Sequence, residues 1–359
     1  RSSAVTDASG AAVFALRDEG GLPGPLAALA LGGVWNAEVV PSSREGVIAW
    51  AALAVLGALV ALGAARWWRG TASRDRAAYL GCALVGWGLA VLTWASPGAV
   101  GWLVATVPGA GLLRDGSRFL ALAAPALVVM SSAGVAVIWQ RVPTQATVRV
   151  SVATAFLLAP VALLPDATWG VASRLDAVTY PSSYAEAREV VARAVKEVPG
   201  DVLLLPASSY RQPAWNGGQK VLDPLGRYLT PDYVASDVLV VSGVVVAGED
   251  ARARDAVTAL EAQTPEGRAA ALGRLGIAVI VIDREAPGET PDIGGEVLLE
   301  SPELVVVALP GADERDAPIG WIVAMIAAWA AFAGLPASGA LAAGRRLLRR
   351  RGSGPSGVS

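Results

Sequence analysis

Leu112-Leu113-Arg114-Asp115-Gly116-Ser117-Arg118-Phe119 sets two arginines and a carboxylate at the entrance of a long apolar stretch. A guanidinium fork matches phosphate oxygens two at a time, and in a helix that begins this early residues four apart share a face. Arg114 and Arg118, with Asp115 between them, therefore have the pattern of a clamp for the phosphate of a lipid head group. The same residues have an inert reading, in which the arginines snorkel and Asp115 balances their charge or caps the helix.

A second cluster is Tyr210-Arg211-Gln212-Pro213-Ala214-Trp215-Asn216-Gly217-Gly218, followed by Asp223-Pro224 and Arg227-Tyr228. Proline and glycine make it a loop after an apolar run, where binding groups often sit. Trp215 offers a flat apolar platform beside Asn216, Asp223 and Arg227, a combination that suits a sugar. Trp35-Asn36 repeats the dipeptide near the N-terminus. The competing reading is that these residues dock loops onto a domain or a membrane surface.

Other chemistries are excluded by composition. Histidine is absent, which removes Ser-His-Asp and Cys-His pairs and imidazole-ligated zinc. The single cysteine, Cys82, lies in an apolar run and reads as a packing residue. Asp166, Asp176, Asp232 and Asp237 lack the spacing of a metal site, and Gly243–Gly248 (GVVVAG) lacks the phosphate-loop pattern. No cofactor is identified; a divalent cation is compatible with carboxylate chemistry but nothing indicates one. A net charge of −2 without a dense basic face gives no reason to expect nucleic acid.

The elements that must hold these residues are mostly apolar. The chain is 54% hydrophobic and 17% charged, too apolar for an ordinary soluble α/β protein of 359 residues. Stretches at about 46–66, 77–95, 119–139, 148–164 and 319–343 are long enough, or nearly so, to cross a bilayer as helices. Residues 98–112 (GAVGWLVATVPGAGL) are apolar but too short, and read as a re-entrant or interfacial segment. Arg66, Arg69, Arg74 and Arg76 lie between the first two spans, Arg141 and Arg149 between the third and fourth, and Arg345, Arg346, Arg349, Arg350 and Arg351 follow the fifth. If all three groups are cytoplasmic, the N-terminus and residues 165–316 lie outside and the C-terminus inside. Without an initial methionine or a signal-peptide pattern at Arg1, the chain reads as the C-terminal part of something longer.

Residues 165–316 alternate helical and strand patterns. Tyr184–Val198, Ala251–Ala262 and Pro265–Leu275 read as helices, DVLLLP at 201–206 and Ile277–Ile282 as buried strands, and Val297–Leu299 with Leu304–Leu309 as a closing hairpin. The expected fold is a polytopic α-helical membrane protein with an extracytoplasmic α/β domain. Its parts are an outer segment 1–45, a four-helix membrane region 46–164, the α/β domain 165–316, a fifth span 317–344 and a basic cytoplasmic tail 345–359. The end of that tail, from Gly352 on, reads as disordered.

The run Pro108-Gly109…Leu113-Arg114-Asp115-Gly116-Ser117-Arg118-Phe119, with Trp215-Asn216-Gly217-Gly218, Asp223-Pro224 and Leu275-Gly276-Ile277-Ala278-Val279, resembles the C-terminal portion of actinobacterial polytopic GT-C-type membrane glycosyltransferases of the arabinofuranosyltransferase-like group. The resemblance implies a multi-pass plasma-membrane enzyme that transfers a sugar from a polyprenyl-phosphate donor to an envelope glycan or glycolipid acceptor. It also implies that the catalytic carboxylate lies in an early outer loop upstream of Arg1, since no equivalent of that loop is found here. Arg114, Asp115 and Arg118 would then meet the lipid phosphate, and Trp35, Asn36, Trp215, Asn216, Asp223 and Arg227 the sugars. Two other classes stay open: a non-enzymatic, membrane-anchored envelope binding or assembly protein, and a transporter. The transporter is disfavoured because no span carries an ionisable residue near its middle.

Overall fold

The computed structural model describes residues 7–168, 171, 175–241, 243–315 and 319–352. Two short helices, α1 (Ser9–Val13) and α2 (Gly24–Leu29), lead into α3 (Gly46–Gly70), α4 (Ser73–Ala95), the short α5 (Pro97–Thr106), α6 (Ala124–Arg141) and α7 (Ala146–Leu163). The α/β region follows, and α12 (Ile319–Gly352) closes the described chain. Among the described residues α3, α4, α6, α7 and α12 are the helices long and apolar enough to cross a membrane. The chain is thus a polytopic α-helical protein with an α/β domain. Residues 353–359, expected to be disordered, lie outside the described residues.

Helix limits differ from the apolar runs for two physical reasons. The first turn of α4 includes Arg74 and Arg76, and the C-terminal end of α3 includes Arg66 and Arg69, because arginine is a good helix former even where it ends the hydrocarbon stretch. The third span starts at Ala124 and not at Phe119. Pro125 sits in the first turn of α6, the one part of a helix that tolerates a missing N–H, and Gly116–Leu122 is wound as a 3-10 helix before it.

The membrane-type helices pack through glycine. A Cβ on Gly63 would stand 2.1 Å from the Met130 carbonyl oxygen of α6, and one on Gly134 2.0 Å from that of Leu59 in α3. Only glycine permits this approach, as in small-residue helix pairs generally. Residues 66–71 and 133–140 border one common cleft, so α3 and α6 run parallel. The 98–112 stretch, expected to be re-entrant or interfacial, is divided between the ten-residue helix α5, about 15 Å long at 1.5 Å per residue, whose Val100 and Val104 pack on Ala11 of α1, and a 3-10 turn that starts at Ala110.

The N-terminal segment is tied down by buried polar groups. The Glu19 carboxylate accepts from the Gly33 N–H at 2.6 Å and pairs with Arg44, while Thr93 Oγ1 of α4 accepts from the Leu16 N–H at 3.1 Å. Asp18 Oδ1 accepts from the Trp94 indole at 2.9 Å.

The α/β domain comprises α8 (Ser182–Glu197), β1 (Asp201–Leu205), β2 (Tyr210–Arg211), β3 (Val221–Leu222), α9 (Leu225–Leu229), β4 (Tyr233–Val234), β5 (Leu239–Val241), β6 (Val244–Val246), α10 (Ala251–Ala259), α11 (Pro265–Arg274), β7 (Ile277–Asp283), β8 (Glu296–Glu300) and β9 (Leu304–Ala308). The main sheet has the order β4-β1-β7-β9-β8, with β4, β1 and β7 parallel, β9 antiparallel to β7 and β8 antiparallel to β9. Alternation along β1 sends Val202 and Leu204 to one face, against Tyr184, Ala187 and Val191 of α8. Leu203 and Leu205 go to the other, against Ala253, Ala256, Ala269 and Leu272 of α10 and α11. A sheet covered on both faces needs the continuous apolar strand that IAVIVI provides.

Candidate functional site

The two arginines before the third span do not share a helical face. Gly109 turns the chain with φ 83°, a 3-10 turn runs over Ala110–Leu113, and Asp115 breaks the winding at φ −97°, ψ 87°. Arg114 consequently lies over the Phe14 ring of the N-terminal segment, 5.1 Å from its centroid, and pairs with Glu249 of the α/β domain. Arg118 Nε lies 2.7 Å from Asp115 Oδ2, yet its side chain is 80% exposed. Asp115 is buried, accepts from Ser117 Oγ at 2.8 Å, and so acts as the fixed base on which Arg118 rests. The adjoining Gly116 packs against Thr93, which a Cβ would strike at 2.1 Å.

Around Arg114 the α/β domain meets the N-terminal segment. Val13 and Phe14 form one apolar cluster with Val246 of β6, joined by Trp35, Leu239 and Val241. Asp7 Oδ2 accepts from the Ala247 N–H at 3.0 Å. Hydrogen bonds from Ser9 are the main reason that the Asp7 carboxyl titrates below its ordinary range, and Arg114 adds a smaller pull.

The expected sugar contacts fall into two neighbouring groups. Trp35 meets Phe14 edge-on at 4.9 Å, and Asn36 Oδ1 caps a 3-10 turn by accepting from the Glu38 N–H at 3.0 Å. Lys220 reaches Glu38 at 3.8 Å and stands 5.6 Å from the Tyr210 ring centroid, bridging that segment to the Trp215 loop. Within the loop the Asn216 amide accepts from the Gln219 N–H and donates to its carbonyl, both at 2.9 Å. This closes a turn over Gly217 and Gly218, whose φ values of 73° and 71° suit glycine. Trp215 packs on Tyr180 and Tyr184, at 4.6 Å from the Tyr180 centroid, Tyr228 packs on the same two rings, and Arg227 is exposed.

Asp223 is part of a buried charge cluster that the motifs did not reveal. Arg211 Nη2 lies 2.8 Å from Asp223 Oδ2 and Nε 3.3 Å from Asp283 Oδ2, at the end of β7. The same guanidinium donates to the carbonyls of Ser208 at 2.6 Å and Pro206 at 3.0 Å. Burial pushes both carboxyls above the ordinary aspartate range, with Arg211 pulling them part of the way back. Tyr184 is raised as well, chiefly by burial and then by the Asp283 charge. The one sequence signal for Asp283 is a charge ending an otherwise apolar strand. Among the described residues no cluster of three metal-ligating side chains occurs.

No family model matches the chain, and no curated protein matches it. Among solved structures it is similar to the arabinofuranosyltransferase AftD from mycobacteria, at 17% identity and a TM-score of 0.38 over 85% of this chain. The chain spans 22% of that protein's length.

Proposed function

We propose that this chain is part of a multi-pass membrane glycosyltransferase, and that Arg118, braced by Asp115, meets the phosphate of a polyprenyl-phosphate-linked sugar, while Arg114 holds the same loop in place through Glu249. The observation that carries this reading is an exposed guanidinium on a buried carboxylate base, at the entrance of α6 and at the end of the bundle away from Arg66, Arg69 and Arg141. Positive residues favour the cytoplasmic side, so the Arg118 end and the α/β domain face outward, with the N-terminus of this chain outside and its C-terminus in the cytoplasm. Trp35, Asn36, Trp215, Asn216, Asp223 and Arg227 belong to the acceptor-glycan surface, Asn216 and Asp223 by fixing the loop. The catalytic carboxylate is supplied from outside this chain, and the product is an envelope glycan or glycolipid.

In the full-length protein, R114Q/R118Q is expected to lower transfer from a polyprenyl-phosphate donor roughly tenfold to a hundredfold, the equivalent of one or two charge-assisted hydrogen bonds. R118K should keep part of the rate. Unchanged transfer in the double variant would sink the phosphate-clamp idea. The internal bonding of Asn216 favours a second reading, a non-enzymatic envelope binding or assembly protein, which predicts glycan binding with no donor turnover.

A further inference from the structure

At the other end of the bundle the parallel helices α3 and α6 part beyond their Gly63–Gly134 contact and leave a cleft of about 600 Å³. Arg66, Arg69, Thr71 and Gln140 contribute its polar wall, and Trp67, Ala133 and Val137 its apolar one. Trp67 is only 7% exposed and is fixed edge-on by Tyr79 at 6.4 Å, so one side of the cleft is preformed. Arg69 uses its Nε on the Ala65 carbonyl at 3.1 Å, which leaves its terminal nitrogens to point elsewhere.

Charge at this end is one-sided. Residues 64–80 and 137–150 hold Arg66, Arg69, Arg74, Arg76, Arg141 and Arg149 against the single carboxylate of Asp75. Among the described residues neither Arg66 nor Arg69 is in an ion pair. The C-terminal ends of α3 and α6 line the cleft and their carbonyls do not attract an anion, so the guanidinium forks of Arg66 and Arg69 are its anion-binding groups. The walls add a second requirement. A ligand that satisfies arginine, hydroxyl and amide donors on one side and Trp67, Ala133 and Val137 on the other is an amphiphile with an anionic head.

We propose that the cleft between the C-terminal ends of α3 and α6 binds the phosphate of an anionic phospholipid from the adjoining leaflet. Arg66 and Arg69 grip the phosphate, Thr71 and Gln140 hydrogen-bond the head-group oxygens, and Trp67 lies against the glycerol and the first acyl carbons. A basic pocket between helices on one membrane face is a recurrent way to hold such lipids. The site is remote from Arg118 and does not rest on the glycosyltransferase reading.

The test is native mass spectrometry of the purified chain, released from nanodiscs containing phosphatidylglycerol or phosphatidylcholine. The wild type should retain phosphatidylglycerol over phosphatidylcholine, R66Q/R69Q should lower that retention tenfold or more, and R66K/R69K should keep a good part of it. The single variants R66Q and R69Q, expected to lose part of the retention each, keep the test decisive should the double variant misfold. R193Q in the α/β domain controls for the loss of a charge, and excess inorganic phosphate should not displace the lipid. Equal retention of the two lipids, full retention by R66Q/R69Q, or displacement by inorganic phosphate would overturn the proposal.

Discussion

One guanidinium holds together the loops that follow two strands of the α/β domain. Arg211 is 2% exposed and faces Asp223 and Asp283 at once, so its loss leaves two carboxylates buried without a cation. Arg211→Leu is expected to cost the domain about 3–5 kcal/mol, the usual penalty for breaking a buried pair. Hydrogen exchange along β1 and β7 in the intact chain would read it as lost protection. The cluster also links stability to pH. Because burial raises both carboxyls in the folded state, that state binds more protons than the unfolded one between 3.8 and the raised values. The linked stability is therefore fully present below 3.8 and is lost as pH rises through the folded pKa. Urea midpoints measured upward from about pH 4 should fall less steeply in Asp283→Asn than in the wild type, since the ordinary aspartate range starts there. Equal slopes would show that Asp283 carries none of the linkage. Arg211 and Asp223 stood in plain view in the sequence, but a pairing with Asp283 depends on the sheet bringing β7 beside β1, which local pattern does not specify.

Elements were legible where one force dominated. The continuous apolar strands β1 and β7 and the amphipathic helix α8 have the expected type and nearly the expected limits, because burial on a covered sheet asks for those patterns. The third span starts later than its apolar run, because hydropathy registers residues 119–123 but not the backbone break that Pro125 and Asp115 impose. That break separates Arg114 from Arg118, and so decides the shape of the candidate phosphate site. Helix pairing makes its own prediction. Gly134→Leu drives a side chain into the α3 backbone and is expected to lower stability by about 1–3 kcal/mol, as overpacking does. Gly57→Leu in the same bundle, where an added Cβ meets nothing within 4 Å, should leave it unchanged. Unfolding in mixed detergent and sodium dodecyl sulfate micelles compares the two, and equal midpoints would contradict the close packing of α3 on α6.

At the scale of the molecule, the two ends of the bundle differ in kind. One end carries the arginine-rich turns and the cleft between α3 and α6; the other carries Asp115, Arg118 and the seam of Phe14, Trp35 and Val246 through which the α/β domain is attached. Every part of the functional reading depends on which end faces outward. Cysteine labelling in intact cells decides it, on a background in which the native Cys82 is replaced by alanine. Cysteines introduced at exposed Glu289, in the α/β domain, and at exposed Arg74, in the first turn of α4, are treated with a membrane-impermeant maleimide. Glu289→Cys should be labelled at once and Arg74→Cys only after the membrane is opened; labelling of Arg74→Cys in intact cells with Glu289→Cys protected would contradict this orientation.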